Sequence, residues 1–292
     1  MIVVTTPTGT IGSQVLENLI DNGETVRVVV RDPDRIPSMF REQVDIIQGS
    51  HRDREVVERA FQDADSVFWL VPPDVRSNNA EAAYVEFSRA ACELFRTGQI
   101  KRVVVVSALG RGWPFNAGLV SASLAMVDLI NSTGIHSRVL AMPSFMDNLL
   151  RQVPSIRAHG IFFTPIDPEL KLPMCSTFDI AIVATELLLD RTWLGQREVP
   201  ILGPEDLSFN DISRIISCVI GKPVRCQRLS MDAFYARMIS AGTSRAMARA
   251  YGAMMVAKNE GIDNMVVRNS QSASPTSFQQ WCEEILKPAV LE

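Results

Sequence analysis

Short β-branched runs alternate with helical patterns along the first half of the chain. The runs are almost wholly apolar, which is typical of parallel strands covered on both faces. They lie at Ile2–Thr5, Thr25–Val30, Val44–Ile47, Ser66–Leu70, Arg102–Val106 and His136–Leu140. Apolar residues at helical spacing predict helices between them at Thr10–Asp21, Asp53–Gln62, Asn78–Thr97 and Ala117–Ser132. This alternation predicts βαβ units and an α/β fold, a doubly wound parallel sheet of the Rossmann type, with its ligand at the carboxyl ends of the strands.

The regular alternation of strand and helix patterns ends after about Pro143, and helical patterns become dominant. Helices are predicted at Asp179–Leu189, Asn210–Ile220, Met231–Ser240, Ser244–Lys258 and Thr276–Leu286, with short strands at Glu198–Leu202 and Val224–Leu229. No repeat or low-complexity linker divides the two halves. We therefore predict a Rossmann core over residues 1–142 and a smaller mixed α/β lobe on the substrate side over residues 143–292, packed on the core.

Composition narrows the class of protein. The 292 residues include 29 Lys and Arg against 33 Asp and Glu, so no net positive charge is available for direct nucleic-acid binding. No apolar run reaches the roughly 18 residues of a membrane span. A strand-like run begins at the second residue, which leaves no room for a signal peptide. The five cysteines contain no C-x-x-C and the three histidines no metal motif, so we expect a cytoplasmic protein without a metal site.

A glycine-containing turn follows the first strand and opens the first helix. The spacing is T-x-x-G-x-x-G, with Thr6, Gly9 and Gly12 at the marked positions. Gly9 allows the backbone to approach a pyrophosphate, Gly12 allows the helix to pack close to the strand, and the helix N-terminus supplies free N–H groups. The alternative is a tight turn without a ligand. Dinucleotide binding is favoured because the strand and helix that the motif requires are both predicted. The predicted contacts are Thr6, Thr8, Gly9, Thr10, Ile11 and Gly12.

Further segments add to this pattern: Val30-Arg31-Asp32, Phe68–Pro73, Thr133-Gly134, Pro143–Asn148, Leu202–Glu205 and Gly221–Val224. Together with the turn they resemble the NmrA-like group of atypical short-chain dehydrogenases/reductases, over most of the chain. That group includes NADPH-dependent quinone and triphenylmethane-dye reductases, and redox-sensing regulators that bind the cofactor without turning it over. The family usually has a glycine where this chain has Thr6, and Pro7 removes one N–H donor. The resemblance implies further cofactor contacts at Leu70, Val71, Pro72, Ser107 and Pro143.

The end of the second strand predicts which dinucleotide binds. Arg31 stands there, and a guanidinium suits a 2′-phosphate, while Arg35 adds a second positive charge. Asp32 is the opposing signal, because a carboxylate can bind the ribose of NAD(H) instead. We favour NADP(H) over NAD(H). After the third strand, Ser50 stands where similar enzymes often place an Asp beside the adenine, and His51 is predicted to be a surface imidazole.

The catalytic pair of most short-chain dehydrogenases, Tyr-x-x-x-Lys, is missing. The equivalent stretch is Leu119–Ser123, no tyrosine lies between Tyr84 and Tyr235, and no lysine lies between Lys101 and Lys171. Hydride transfer to a ketone makes an alkoxide that needs a proton at once. Transfer to a quinone, an imine or a cationic dye makes a weaker base or a neutral product, so positioning against the nicotinamide can do most of the work.

Aromatic residues form a candidate substrate pocket. The loop after the fifth strand carries Trp113 and Phe115, which suit either stacking on a flat substrate or packing between lobes. Phe145 and Asn148 follow the sixth strand. Tyr251 belongs to a methionine-rich stripe at helical spacing, a pattern typical of core that also suits apolar ligands. Ser107 either serves the site or is a strand-end residue that hydrogen-bonds backbone.

Taken together, these features predict an NADPH-dependent reductase that transfers hydride to a flat conjugated acceptor without a Tyr-Lys pair. The alternative is a non-catalytic NADP(H)-sensing regulator that acts through a protein partner. The expected partners are a small apolar or aromatic substrate, with neither nucleic acid nor membrane, and a homodimer is compatible with the sequence.

Overall fold

The computed structural model describes every residue, Met1–Glu292. Its strands are β1 (Ile2–Thr5), β2 (Val26–Val30), β3 (Val44–Gln48), β4 (Ser66–Trp69), β5 (Arg102–Ala108), β6 (His136–Met142), β7 (Ser144–Phe145), β8 (Ile161–Thr164), β9 (Leu172–Cys175), β10 (Gln196–Pro200), β11 (Asp206–Leu207) and β12 (Arg225–Arg228). Its α-helices are α1 (Thr10–Asp21), α2 (Ser38–Arg41), α3 (Arg54–Phe61), α4 (Ala80–Phe95), α5 (Leu119–Asn131), α6 (Val153–His159), α7 (Thr177–Leu189), α8 (Phe209–Ile220), α9 (Met231–Ser240), α10 (Arg245–Asn259), α11 (Phe278–Trp281) and α12 (Lys287–Leu291).

Seven strands form the central sheet in the order β10-β6-β5-β4-β1-β2-β3, and every neighbouring pair is parallel. The doubly wound α/β fold predicted from the alternating pattern is confirmed. Strand order reverses between β1 and β4, because β2 and β3 lie on one side of β1 and the later strands on the other. In such sheets the ligand binds at the carboxyl ends of the strands beside this reversal, which is where the glycine-containing turn lies.

The central strands β1, β4 and β5 are largely apolar because both faces of the sheet are covered there. On β1, Val4 belongs to the core layer under α1 and α7, whereas Val3 belongs to the opposite layer under α3, α4 and α5. The same alternation separates Val28 from Val29 on β2. Successive side chains of a strand point to opposite faces, so a strand with two buried faces has no position for a polar residue.

Part of the second half of the chain returns to this core. Helix α7 packs beside α1, and β10 pairs with β6 from Gln196↔Ser137 to Pro200↔Ala141. The apolar residues Ile180, Ala184 and Trp193 join the same layer as α1. The division at residues 142 and 143 stays a prediction, and the structure places α7 and β10, which lie beyond it, in the layers of the central sheet.

The remaining second half forms a smaller mixed lobe. A three-stranded sheet has the order β11-β9-β7, and β12 pairs with β8 in parallel. Helices α8, α11 and α12 cover a separate apolar core that contains Phe162, Ile212, Phe278 and Trp281. Between α11 and α12 the chain makes a π-helical turn at Cys282–Leu286. No helix of the chain combines the length and the apolar character of a membrane span.

Helix α10 ties this lobe to the carboxyl edge of the central sheet. At its N-terminus, Ser244 donates its backbone N–H to the Val75 carbonyl at 2.9 Å and its hydroxyl to the Ser77 carbonyl, both in the loop before α4. At its C-terminal end, the buried ammonium of Lys258 pairs with the buried carboxylate of Asp263. The first contact fixes the N-terminus of α10 to the loop after β4, and the second fixes its C-terminal end to the turn that follows.

Candidate functional site

The turn between β1 and α1 brings two backbone segments into close contact. Thr6 has a φ of +56°, in the left-handed region that β-branched residues rarely adopt. Its hydroxyl donates to the Leu70 carbonyl at 3.0 Å, and its own carbonyl accepts from the Gly9 N–H at 3.1 Å. A Cβ atom at Gly12 would lie 2.1 Å from the Thr6 carbonyl oxygen. Only glycine at position 12 therefore lets α1 begin this close to the turn.

The first turn of α1 has unpaired donors. Gly9 is the N-cap with φ −90° and ψ 164°, and it provides no side-chain cap. The backbone N–H groups of Thr10, Ile11 and Gly12 have no acceptor within the chain, and no acidic residue lies in this turn. Half-buried Thr8 precedes them. Free amides at the positive end of a helix dipole bind anions, so the residues present fit a pyrophosphate.

The strand end of β4 is fastened to the turn through Leu70. The Leu70 N–H donates to the Thr5 hydroxyl at 3.0 Å, and its carbonyl accepts from Thr6. Val71 continues the chain as a buried residue, and Pro72 is exposed. The predicted contacts of this run therefore lie directly beside the turn.

His51 is a buried imidazole, so its prediction as a surface residue is wrong. Its Nε2 lies 3.0 Å from the Leu70 carbonyl, and its ring makes edge contacts with Trp69 and Phe87 at centroid distances of 5.1 and 4.7 Å. A carbonyl can only accept, so Nε2 carries the hydrogen. Burial lowers the pKa of His51 to about 4, against the opposing effect of the Leu70 hydrogen bond and with a smaller lowering by the Arg31 charge.

Three arginines without ion-pair partners follow β2 and β3. Arg31, Arg35 and Arg52 are all exposed, and no carboxylate lies within ion-pair distance of their guanidinium groups. Arg54, only two residues beyond the last of them, instead pairs with Glu58 at 2.8 Å. Unpaired guanidinium groups at these strand ends fit a 2′-phosphate, which they can bind through charge-assisted hydrogen bonds.

Asp32, the opposing signal in the sequence, has a structural role. Its carboxylate accepts from the Asp34 N–H at 3.2 Å and caps the short 3₁₀ turn that follows. Half-buried Ser50 makes a similar local contact, since its hydroxyl accepts from the Arg52 N–H at 3.2 Å. The three unpaired guanidinium groups outnumber the exposed Asp32 carboxylate, which fits NADP(H) better than NAD(H).

Two serines meet where most short-chain dehydrogenases have catalytic groups. Ser107 at the end of β5 and Ser123 on α5 are both buried, with their hydroxyl oxygens 3.0 Å apart. Ser107 thus bonds to a side chain rather than to backbone, which corrects the strand-end alternative. Pro143, after β6, is buried. Leu119 and Ser123 stand where the predicted alignment would place the tyrosine and the lysine.

The aromatic loop after β5 presents an open surface. The rings of Trp113 and Phe115 meet at an angle of 73° with centroids 6.2 Å apart. Phe115 is 69% exposed, while the Nε1 of Trp113 is buried without a hydrogen-bond partner. The exposed ring of Phe115 is therefore accessible to a flat ligand on this loop.

The segment after β6 connects the two halves of the candidate site. Phe145 is half-buried in β7, and Asn148 is exposed three residues later. Between them, the Asp147 carboxylate accepts from the N–H and hydroxyl of Thr177 at 3.0 and 2.9 Å. The Thr177 hydroxyl also accepts from the Gln14 amide of α1 at 3.2 Å. This network fixes the Phe145–Asn148 segment relative to the helix that follows the turn.

Tyr251 lies on α10, half-buried against an apolar cluster with Tyr84, Leu119 and Met247. Burial raises the pKa of its phenol, and the charge of Arg151 partly opposes this rise. The predicted substrate residues thus come from α10, from the loop after β5 and from the segment after β6.

Comparison with known proteins assigns the family. The model of the NmrA-like family matches residues 1–283. The chain belongs to the NmrA-like family. The resemblance inferred from the turn and the later segments is thereby confirmed.

Relatives of this NmrA-like protein include two reductases. A (4-alkanoyl-5-oxo-2,5-dihydrofuran-3-yl)methyl phosphate reductase of Streptomyces griseus is 27% identical over 80% of this chain and 78% of its own length. An NAD(P)H azoreductase of Xenophilus azovorans is 26% identical over 86% and 84%. The fold matches that of an Escherichia coli NADPH-dependent quinone oxidoreductase complexed with NADPH, with a TM-score of 0.80, 19% identity and coverage of 98% and 100%.

Two cavities of the NmrA-like chain lie along α5. One of about 250 Å³ is lined by Trp113, Ser121 and Asp128. The other, of about 570 Å³, is lined by Ser121, Asn116 and Arg249. Neither touches the residues of the turn, and Trp113 is the one predicted substrate residue that lines either of them.

Sequence reasoning missed Arg52 and Tyr84. Arg52 lies in the loop after the third strand, as Arg31 lies after the second, and that similar position was a usable signal. Tyr84 lies on a helix far from the Tyr-x-x-x-Lys position, and only the packing of α4 against α10 brings it towards Tyr251.

Proposed function

We propose that this chain is an NADPH-dependent reductase that passes hydride to a flat conjugated acceptor, such as a quinone, an imine, an azo compound or a cationic dye. The observation that carries the proposal is the anion site at the start of α1, with three free amides and a backbone approach that only Gly12 permits. The names of the two relatives, both reductases, support the reaction class.

Each part of the cofactor has residues suited to it. The free amides of α1 would hold the pyrophosphate, and the unpaired Arg31 and Arg35 would hold the 2′-phosphate. Ser50 would lie near the adenine, and Leu70–Pro72, Ser107 and Pro143 would line the way to the nicotinamide. When bound, NADPH supplies the hydride, and the chain supplies binding and orientation.

The acceptor class follows from the groups around β5 and α5. Ser107 and Ser123 share one hydrogen bond, and Leu119 cannot donate a proton. A conjugated acceptor needs less proton assistance than a simple ketone, because hydride transfer leaves a weaker base. Trp113, Phe115 and Phe145 offer ring faces, while Asn148 and Tyr251 offer polar groups for orientation.

A two-stage experiment tests the proposal. First, NADPH and NADH are titrated into the purified protein by calorimetry. Second, consumption of NADPH is followed with a panel of quinones, azo dyes, imines, cationic triphenylmethane dyes and, as a contrast, simple ketones. We expect tighter binding of NADPH than NADH, and turnover of conjugated acceptors only.

The same experiment separates the enzyme from the regulator. Tight NADPH binding without turnover of any acceptor would contradict the reductase and support the NADP(H)-sensing alternative. In that case a protein partner retained in only one redox state of the cofactor would be the next expected result. Failure to bind either dinucleotide would contradict both.

A further inference from the structure

Two phenols converge at the start of α5. Tyr84 of α4 and Tyr251 of α10 pack against the same apolar cluster, which includes Leu119 and Met247. Neither hydroxyl has a hydrogen-bond partner in the chain, and neither is among the polar atoms that are wholly shielded from water. A hydroxyl in largely apolar surroundings gains from any partner that reaches it. Both hydroxyls are therefore available to a ligand.

The packing of α10 places these phenols beside the carboxyl end of β5. A Cβ atom at Gly118, the residue before α5, would lie 1.9 Å from the Ala250 carbonyl oxygen. Tyr251 is the next residue of α10. One turn further along α5, Ser123 reaches Ser107 at the end of β5. Tyr251 therefore packs against the first turn of α5, the helix that follows β5, on the carboxyl side of the sheet where a doubly wound fold binds its ligand.

The two phenols have different electrostatic surroundings. Burial raises the pKa of both, and for Tyr84 the neighbouring Tyr251 adds to the rise. Arg151, from the segment after β7, lowers the pKa of Tyr251 and not that of Tyr84. A phenolate is thus better tolerated at Tyr251, while Tyr84 remains a neutral hydrogen-bond donor.

We propose that Tyr251 is a catalytic residue that donates its phenol proton to the hydride acceptor, and that Tyr84 is a positioning residue that orients the acceptor by a hydrogen bond. The inference rests on the proposed reductase function. The Tyr251 O–H bond breaks, its proton bonds to the quinone oxygen or azo nitrogen, and the electron pair stays on the phenolate. NADPH provides the hydride, and water returns a proton to the phenolate. Arg151 stabilises the phenolate in between.

The chemistry of the acceptors provides an internal control. A quinone or an azo compound takes up a hydride and a proton, whereas a cationic triphenylmethane dye becomes neutral on receiving hydride alone. General acid catalysis typically contributes on the order of 10²-fold or more. Tyr251→Phe should lower kcat/KM by about 10²-fold for a quinone and an azo dye, and leave the cationic dye nearly unchanged. Tyr84→Phe should raise KM more than it lowers kcat.

Tyr235→Phe is the matched control, because it removes the third phenol of the chain. Tyr235 lies on α9 and contacts α10 at Gly252, where a Cβ atom would lie 2.3 Å from its hydroxyl. It should leave all three acceptors unaffected. If Tyr251→Phe fails to fold, Arg151→Gln replaces it, since exposed Arg151 contributes only its charge and should slow the same two acceptors.

A second measurement needs no turnover. The ultraviolet difference spectrum of phenolate, followed with pH on the cofactor-free protein, gives the titration of Tyr251 as wild type minus Tyr251→Phe. The charge that acts on this phenol is that of Arg151, whereas the Tyr251 phenolate in turn raises the pKa of Tyr84. Arg151→Gln should move the Tyr251 titration to higher pH.

The outcomes separate the two proposals. Wild-type turnover of quinone and azo dye that Tyr251→Phe retains in full would overturn the tyrosine assignment and leave the reductase standing. Wild-type turnover of the cationic dye alone would also overturn it. If the wild-type protein turns over no acceptor, the proposed reductase function is contradicted, and so is the assignment of Tyr251 as proton donor.

Discussion

The Nε2 atom of His51 lies 3.0 Å from the carbonyl oxygen of Leu70, at the carboxyl ends of β3 and β4. The same carbonyl accepts the hydroxyl of Thr6 at 3.0 Å. A neutral, buried imidazole therefore helps to hold the strand end to which the turn before α1 is fastened. Protonation of this imidazole would place a charge in a buried position and would disturb the strand end that holds the turn of the candidate cofactor site.

This relationship predicts a loss of stability in acid. The pKa of His51 is about 4 in the folded chain against 6.5 for a free histidine, so between these values the unfolded chain binds the proton more readily. The stability that the folded chain has with a neutral His51 is complete above pH 6.5, and it is lost as the pH falls towards 4. It amounts to about 3 kcal/mol of the free energy of unfolding. His51→Gln, which keeps a donor for Leu70 but cannot titrate, should show a flatter pH dependence in urea unfolding between pH 7 and 4.5.

His159→Gln is the control, because His159 is exposed at the end of α6. Its pH dependence should match that of wild type. Equal slopes for wild type and His51→Gln would contradict the buried neutral imidazole.

His51 also shows where reading the sequence fails. A histidine between Ser50 and Arg52, directly after a strand, has polar neighbours on both sides, and nothing local indicates that Phe87 of α4 covers its ring. The six apolar strands of the first half were predictable, because two-sided burial leaves a continuous signal in the sequence. Burial of a single polar residue at a strand end depends on a helix some thirty positions away.

The second half was less predictable for a similar reason. The predicted bounds of α8, α9 and α10 lie within two residues of those in the structure. For α8 and α10 this is because each buries one face, whereas α9 has no fully buried residue. The two-residue strands β7 and β11 have no periodic signal, and their pairing with β9 depends on the lobe as a whole. Pattern alone also does not reveal that β10 joins the central sheet, since its exposed Gln196 and Arg197 do not look like a buried strand.

The unpaired Arg31 predicts a selective loss of NADPH affinity. Losing one charge-assisted hydrogen bond costs about 1.5–3 kcal/mol, which is roughly ten- to over a hundredfold in affinity. Arg31→Ala should weaken NADPH by that factor and NADH little, as measured by calorimetric titration. Arg54→Ala removes an exposed arginine whose charge is already paired with Glu58, and should leave both affinities unchanged. Equal losses of affinity for both cofactors in Arg31→Ala would contradict binding of the 2′-phosphate by Arg31 and would indicate that Asp32 binds the ribose instead.

Substitutions of the two glycines of the turn should have different effects, one on cofactor binding and the other on stability. Gly9 has a φ of −90°, and a Cβ there would meet the Thr6 methyl at 3.0 Å and the Thr6 carbonyl oxygen at 3.4 Å. Gly9→Val should therefore unfold near the wild-type temperature yet lose both cofactors, because its side chain fills the approach of the shared pyrophosphate. Gly12→Ala would drive its Cβ into backbone, and should lower the free energy of unfolding by about 1–3 kcal/mol. A well-folded Gly9→Val that binds as wild type would mean that the turn is not the phosphate site.

At position 6, the glycine variant should be more stable than the alanine variant, which is the reverse of the usual order. Both Thr6→Ala and Thr6→Gly lose the hydroxyl bond to Leu70, worth about 1 kcal/mol. Alanine keeps the steric cost of a φ of +56°, which is about 1–2 kcal/mol. Glycine removes that cost, against about 0.5–1 kcal/mol for its greater freedom when unfolded. We expect Thr6→Gly to be the more stable variant in urea unfolding, by up to about 1 kcal/mol. At Gly9, where φ is negative, Gly9→Ala should show no such preference for glycine. If Thr6→Ala proves as stable as Thr6→Gly, the hydrogen bond and not the backbone conformation would be what position 6 contributes.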